Sequence, residues 1–429
     1  MTAGGTTSSG RATDGVAADG VADGLATDGV AAGGVAADTL AADGRATGGI
    51  STDGRAIGGV AAGGLATSGV ATDGVATSGA ATGGVATDGR GTDGGSPLRR
   101  PLDRDGVVEL ALLERAGLIE SRHLGAAVVT DPDGGVLREL GNGTADIYGR
   151  SSLKPFQAIA VLRGGADLDG EQLVLASASH AGTDKHVRVV REILAAAGAD
   201  ESHLLCPADW PLDRDASFAA RVAGLGPRRV TMNCSGKHAS FLLACAVNGW
   251  SPADYLDPGH PLQESVRASV EEYTGDRVGR IGIDGCGAPV FATTLRGLAR
   301  GIGRVSGAPR RGGDEPASRL ATAILAHPWA IDGHDRSNSI VIEELGLVAK
   351  LGAEGVLVMG APDGTGVAIK LLDGGLRATT LVGISLLVSV GVVAPDAAAV
   401  VIARTTERVL GAGVPVGSWS AAPEVLAAR

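Results

Sequence analysis

The chain has 429 residues, of which 44% are hydrophobic and only 3% are aromatic. That length allows two or three domains of about 150 residues each. The net charge is −11, of which −6 lies in the first 96 residues. The other 333 residues are mildly acidic and contain no basic run. This argues against nonspecific binding to nucleic acid or to an anionic membrane.

Half of the first 96 residues are Gly or Ala, arranged in a five-residue repeat of the type ATDGV. A period of five matches neither a helical nor a strand face, and such small side chains bury too little area to offset the ordering of the backbone. We therefore expect a disordered repeat tail at 1–96, a linker at 97–104 and a globular domain at 105–429. A structural or adhesive role for the repeat is the alternative.

In chain order, the globular part alternates apolar runs, turn signals and helical patterns. A hairpin is expected where two apolar runs flank the turn at 131–135, and the uncharged run 378–395 is expected to be a buried helix rather than a membrane span. Interleaved helices, strands and hairpins favour an α+β fold, with a central antiparallel or mixed sheet flanked by helices. The body begins at 107–113, and strands are predicted at 125–130, 136–140, 173–178 and 367–372. A strand and turn is predicted at 281–290, and a strand, turn and strand at 348–359. Helices are predicted at 150–162, 187–197, 217–222, 239–247 and 266–273, the segment 289–301 is expected to run into a helix, and a polar loop is predicted at 232–238.

The block RSSLKP, which starts at Arg150, opens one of the predicted helices. Ser151 and Lys154 are three residues apart, which on a helix places their Cβ atoms about 5–6 Å apart on one face. A neutral lysine amine can take the proton of a neighbouring hydroxyl, so this pair is a candidate activated nucleophile. Ser152 is expected to face away. A capped helix start with a solvated lysine is the alternative, because a single Ser-x-x-Lys pattern is common.

Four further blocks concentrate polar groups: SHAG from Ser179, NCSGKH from Asn233, DGCGAP from Asp284 and KLGAEG from Lys350. Serine β-lactamases carry a comparable Lys-Thr-Gly on a sheet edge. Only five of the 37 cationic residues are lysines. A lysine differs from an arginine where chemistry needs an amine that can lose its proton.

Taken in order, these five blocks resemble the hallmarks of the class 3 L-asparaginases, the Rhizobium etli type of the asparaginase II family. The resemblance covers the chain from about 105 to its end and none of the repeat. It implies a fold similar to serine β-lactamases and glutaminases, usually as a homodimer. It also implies hydrolysis of L-asparagine to L-aspartate and ammonia. The stretch CPADW from Cys206 departs from the Gly and His of related sequences.

The resemblance further implies that two Ser-Lys pairs carry catalysis, Ser151 with Lys154 and Ser179 with Lys350. We favour Ser151 as the nucleophile, because helical spacing fixes its lysine, whereas the second pair depends on tertiary contact. Mapped onto this chain, the family's zinc ligands are Cys234, Lys237 and Cys286. Two soft sulfurs suit zinc, but a lysine ligand requires a strongly lowered pKa. The alternative is that both cysteines are reduced, packed and inert.

Asparagine is a zwitterion, so its ammonium needs a carboxylate and its carboxylate needs cationic or N–H donors. Asp284 and Arg150 are the candidates for these roles, with a structural ion pair as the alternative for Arg150. His180 is the third candidate substrate-binding residue, as a hydrogen-bonding group. Cys206 and Cys245 are expected to be buried thiols.

Other classes of function stay open. One is a glutaminase or another amidohydrolase, such as a β-lactam hydrolase, on the same scaffold. The other is a non-catalytic, zinc-dependent protein that binds amino acids. The start MTAGGTTSSG lacks a basic segment followed by an apolar stretch. A cytoplasmic location with reduced thiols is therefore expected, with a small-molecule substrate and with no nucleic-acid or membrane partner.

Overall fold

The computed structural model describes residues 98–427, and the prediction of a disordered tail at 1–96 lies outside these residues. The strands are β1 (Val108–Arg115), β2 (Leu118–Thr130), β3 (Val136–Leu140), β4 (Ile147–Tyr148), β5 (Ile281–Ile283), β6 (Pro289–Thr293), β7 (Val348–Gly352), β8 (Val356–Gly360), β9 (Gly366–Leu371), β10 (Val409–Gly411) and β11 (Val414–Ala421). The α-helices are α1 (Lys154–Arg163), α2 (Gly170–Ser177), α3 (Asp184–Ala196), α4 (Arg214–Val222), α5 (Ser235–Asn248), α6 (Pro261–Thr274), α7 (Leu295–Arg311), α8 (Glu315–Ala326), α9 (Ser337–Leu345), α10 (Thr379–Ser389), α11 (Pro395–Thr405) and α12 (Pro423–Leu426).

Eight strands form one sheet in the order β10-β11-β1-β2-β9-β8-β7, and β3 also pairs with β2. The long strand β2 pairs with β1 through its first half and with β3 through its second half. Every pair of strands in this sheet is antiparallel. The α+β class is therefore confirmed, and the sheet is antiparallel rather than mixed. A second, three-stranded sheet has the order β4-β6-β5.

Helices cover both faces of the large sheet. Gly360 of β8 approaches Ser306 of α7, whereas its neighbour Met359 contacts Gly383 of α10. Since successive residues of a strand face opposite sides, α7 and α10 lie on opposite faces. At Gly366 a Cβ would lie 1.9 Å from a carbonyl oxygen of α7, so only glycine permits this close packing of helix on strand.

Most predicted elements are confirmed, including the hairpin at 131–135 and the buried helix within 378–395. The strand predicted at 173–178 is wrong, because this segment belongs to α2. A short apolar run buried on all sides has no periodicity that separates a helix from a strand. The polar loop predicted at 232–238 ends early, since α5 begins at Ser235. Within residues 98–427, no helix combines the length and the apolar character needed to cross a membrane.

The linker predicted at 97–104 is part of the folded body as far as the structure describes it. Leu102 packs against the core, and its N–H donates to the carbonyl of Asp146 at 3.3 Å. Arg99 forms an ion pair with the same aspartate at 2.9 Å. Arg99 and Leu102 therefore contact the globular part, and the domain boundary at 104–105 stays a prediction.

Candidate active site

Ser179 lies in the loop that follows α2, and its position is fixed by segments distant in sequence. Its N–H donates to the carbonyl of Ile331 at 3.0 Å, and the next N–H, that of His180, donates to the carbonyl of Asn233 at 3.1 Å. The side chain of Ser179 is half-buried. The loop therefore presents one hydroxyl that is partly accessible on a backbone held by tertiary contacts.

Two buried lysines place their amines on this hydroxyl. Lys154 Nζ, at the start of α1, lies 3.0 Å from Ser179 Oγ, 2.5 Å from the carbonyl oxygen of Ala178 and 3.1 Å from the sulfur of Cys234. Lys350 Nζ, on β7, lies 2.8 Å from Ser179 Oγ. The two side chains are 1% and 0% exposed. The structure thus brings the predicted residues Lys154, Ser179 and Lys350 together at one oxygen atom.

Lys350 has the properties of a base. Its pKa is lowered to about 7, mainly by burial and also by the positive charge of Lys154, against the opposing effects of Asp332 and Cys234. A lysine with such a pKa is neutral in a large fraction of molecules at neutral pH. It can therefore accept the proton of the serine that it contacts.

The expected pairing of Ser151 with Lys154 is not what the structure contains. Ser151 lies in the 3₁₀ helix Arg150–Leu153, and Lys154 begins α1 directly after it, so the spacing of three residues does not by itself decide which group the lysine amine contacts. Within residues 98–427, its hydroxyl has no hydrogen-bond partner, while Lys154 reaches across to Ser179. Ser152 is buried, as expected for a serine that faces away, and donates to the carbonyl of Lys350 at 3.2 Å.

The side chain of His180 hydrogen-bonds to the loop that carries Ser179 and to α5. Its Nδ1 accepts the N–H of Gly182 at 3.1 Å, and its Nε2 lies 2.9 Å from Ser235 Oγ. The ring is fully buried and stacks on His186 with centroids 5.2 Å apart. Burial lowers the pKa of His180 well below its ordinary value, so the ring is neutral. Both ring nitrogens bind protein groups, and a contact of His180 with substrate stays a prediction.

Arg150, the residue before Ser151, forms an ion pair with Asp284. Arg150 Nε and Nη2 lie 2.9 and 2.8 Å from Asp284 Oδ1, and the side chains are 24% and 15% exposed. Arg150 has a φ of 49°, a conformation that is uncommon for residues other than glycine and that concentrates at functional sites. The guanidinium also lines a cavity of about 410 Å³, together with Tyr148, Arg280 and Lys370.

The predicted zinc ligands form a buried cluster behind the serine. Lys237 Nζ lies 3.1 Å from Cys286 Sγ. A hydrogen bond between the thiols of Cys286 and Cys234 lowers the pKa of Cys286 and raises that of Cys234. Burial lowers the pKa of Lys237, but the charges of Cys286, Cys234 and Asp284 and the hydrogen bond to Cys286 together outweigh it, and the pKa is raised overall. Within residues 98–427, no cluster of three His, Cys, Asp or Glu side chains could hold a metal ion. The chemistry of this donor set, two sulfurs and one amine, nevertheless fits a soft divalent metal.

The other two cysteines behave as expected. Cys206 and Cys245 are buried and free of disulfides, and burial raises the pKa of each thiol to about 11.

Sequence reasoning missed a polar network that links the segment preceding α9 to β7. Asp332 and Asn338 are 5% and 3% exposed, and they hydrogen-bond each other at 3.1 Å. The Asn338 amide oxygen accepts the N–H of Leu351, the neighbour of Lys350, at 2.9 Å. The available signal was a polar run, DGHDRSN from Asp332, between two apolar segments.

Comparisons with known proteins give a family and a set of weak structural similarities. A β-lactamase from Mycobacterium bovis has 16% identity over 66% of this chain and 95% of its own, with a TM-score of 0.33. A Bacillus glutaminase has 12% identity over 59% of this chain and 84% of its own, with a TM-score of 0.26. No curated protein sequence matches the chain. The finer resemblance to the Rhizobium etli type stays a prediction. The family described as L-asparaginase II matches residues 111–421, a range that includes every residue of the site, and the chain therefore belongs to the L-asparaginase II family of amidohydrolases.

Proposed function

We propose that this amidohydrolase converts L-asparagine to L-aspartate and ammonia, with Ser179 as its nucleophile. The observation that carries the proposal is the contact of one half-buried hydroxyl with two buried amines, at 3.0 Å from Lys154 and 2.8 Å from Lys350. A serine hydroxyl is a weak nucleophile unless an adjacent base takes its proton. Lys350, with a pKa of about 7, is suited to that role.

In the first half of the reaction, Ser179 Oγ attacks the amide carbon while its proton passes to Lys350 Nζ. The carbon–nitrogen bond then breaks, and the proton moves from Lys350 to the departing nitrogen, which leaves as ammonia. In the second half, water attacks the resulting ester and gives a proton to Lys350, which returns it to Ser179 as aspartate leaves. Lys154, which donates to the same oxygen, stabilises the negative charge that develops when the proton departs.

The ion pair of Arg150 with Asp284 supplies the two charges that a zwitterionic amino acid needs. The guanidinium would bind the α-carboxylate of the substrate, and the carboxylate would bind its ammonium. Because the two side chains already neutralise each other, substrate binding exchanges one ion pair for two. The strained backbone of Arg150 is consistent with a conformation retained for binding rather than for stability.

A zinc site at Cys234, Lys237 and Cys286 is part of this proposal. The two thiols and the amine would hold the ion, and its positive charge would help to position the substrate next to Ser179. Lys237 would have to lose its proton to become a ligand. The homodimer and the cytoplasmic location expected from the sequence remain predictions.

The test is an ammonia assay of the purified chain with L-asparagine, L-glutamine and a set of simple amides, together with a chromogenic β-lactam. We expect the highest kcat/KM for asparagine, and no turnover after Ser179→Ala. A preference for glutamine or the β-lactam would assign another amidohydrolase activity. Calorimetry that finds tight asparagine binding without ammonia release would favour the non-catalytic alternative.

A further inference from the structure

We propose that Asp332 and Asn338 are positioning residues that hold Lys350 against Ser179. This role rests on the proposed function, because it requires the contact between these two residues to be catalytic. Neither side chain touches the serine or the amine through a hydrogen bond in the structure, so both would act through the backbone and through charge.

The first step of the argument concerns the serine side of the pair. The N–H of Ser179 donates to the carbonyl of Ile331 at 3.0 Å, and Asp332 is the next residue. Its carboxylate accepts from Arg336 Nε at 2.7 Å and from Asn338 Nδ2 at 3.1 Å. A buried carboxylate held by two donors fixes the backbone at its own position. The carbonyl that anchors Ser179 is therefore fixed as well.

The second step concerns the lysine side. Asn338 uses the other end of its amide, Oδ1, to accept the N–H of Leu351 at 2.9 Å. Leu351 directly follows Lys350 in β7, which is the last strand of the sheet. A backbone N–H on such a strand needs an acceptor outside the sheet. One amide thus connects the carboxylate of Asp332 to the strand that carries the base.

The third step concerns charge. The charged or titratable groups that act on Lys350 are Lys154 from α1, Cys234 from the start of α5, and Asp332. Burial and Lys154 lower the pKa of Lys350, whereas Asp332 raises it. Arg336, whose side chain is 40% exposed, binds Oδ1 of Asp332, whereas Asn338 binds Oδ2. Asp332 therefore opposes the loss of basicity that burial would otherwise impose.

The experiment measures kcat, KM and the pH profile for two single variants. Asn338→Ala removes the bridge, and we expect kcat to fall roughly 10- to 100-fold, as for a small misplacement of a reacting group, with a smaller change in KM. Asp332→Asn removes the charge, and we expect the acid limb of kcat/KM to move to lower pH, because Lys350 then loses its proton more easily. Melting temperatures are measured in parallel.

A double variant separates positioning from folding. Asn338→Asp alone places two carboxylates together and should lower kcat. Combined with Asp332→Asn, it restores one amide and one carboxylate and keeps an acceptor for Leu351, so kcat should partly recover. Asp276→Asn is the matched control, because Asp276 is a partly buried carboxylate, 12% exposed, that accepts hydrogen bonds from Thr294 at the start of α7. This control should leave the acid limb unchanged.

The inference is overturned if Asp332→Asn leaves the acid limb in place, or if the Asn338 variants lose melting temperature without any change in kcat. The inference is also overturned if the double variant shows no recovery of kcat. Ser179→Ala and Lys350→Met are assayed alongside. Activity in either of these would contradict the proposed function itself, whereas inactivity in both together with an unchanged Asp332→Asn profile would contradict only the positioning role.

Discussion

Lys350 Nζ lies 2.8 Å from Ser179 Oγ, although the two residues are 171 positions apart in the chain. The contact joins the last strand of the sheet to the loop after α2. Lys154 reaches the same oxygen from α1, and its charge helps to lower the pKa of Lys350. The site therefore combines an amine that can accept a proton with a second amine that donates to the same oxygen.

Ser179→Ala should lower kcat by at least roughly 1,000-fold, because a lost nucleophile is not replaced by neighbouring groups. Ser151→Ala and Ser152→Ala are matched controls on the 3₁₀ helix and should cost far less. Ammonia release gives the rates, and mass spectrometry of a quenched reaction locates the acyl group. An adduct on Ser151, or full activity of the Ser179 variant, would assign the nucleophile to Ser151.

The pH profile should report Lys350. As the base it must be neutral, so kcat/KM should be low when the amine is protonated and should rise through a pH of about 7, the value to which its pKa is lowered. Lys350→Arg should be inactive throughout, since a guanidinium stays protonated. Initial rates from roughly pH 5 to 9 test this. A flat profile would exclude Lys350 as the base.

Arg150→Gln and Asp284→Asn should each raise KM for asparagine roughly 10- to 100-fold, the effect of about 1.4 to 2.8 kcal/mol in binding. Arg296→Gln removes the ion pair with Glu139 and is a control that should leave KM unchanged. Steady-state kinetics and melting curves are compared for the three variants. A lower melting temperature with an unchanged KM would make the pair of Arg150 with Asp284 purely structural.

Cys286→Ser should reduce the zinc content of the protein, because one of two thiolates is lost. Cys245→Ser changes another buried thiol and should retain zinc. Elemental analysis after dialysis against zinc, with the rise in melting temperature on zinc addition, gives a readout independent of activity. A wild-type protein that binds no zinc under these conditions would contradict the site.

Local signals in the sequence identified most of the residues that meet at the site. The blocks around Lys154, Ser179 and Lys350 each combine a reactive side chain with turn or cap residues. Such a signal depends only on a few neighbouring positions in the sequence. The antiparallel hairpin at 131–135 was predictable for the same reason, because turn chemistry and alternation are local properties. The uncharged run 378–395 likewise indicated its buried helix.

The pairing of these residues was decided by the tertiary structure. The sequence placed Lys154 with Ser151, three residues away, but Lys154 contacts Ser179 instead. A buried amine adopts the position in which its protons find acceptors, and the carbonyl of Ala178 and the hydroxyl of Ser179 lie on another element. The lowered pKa of Lys350 and the bridge through Asn338 arise from burial and from contacts between distant segments. The sequence by itself thus determined which reactive groups are present, and only packing decided which of them touch, because contact and desolvation depend on the fold as a whole.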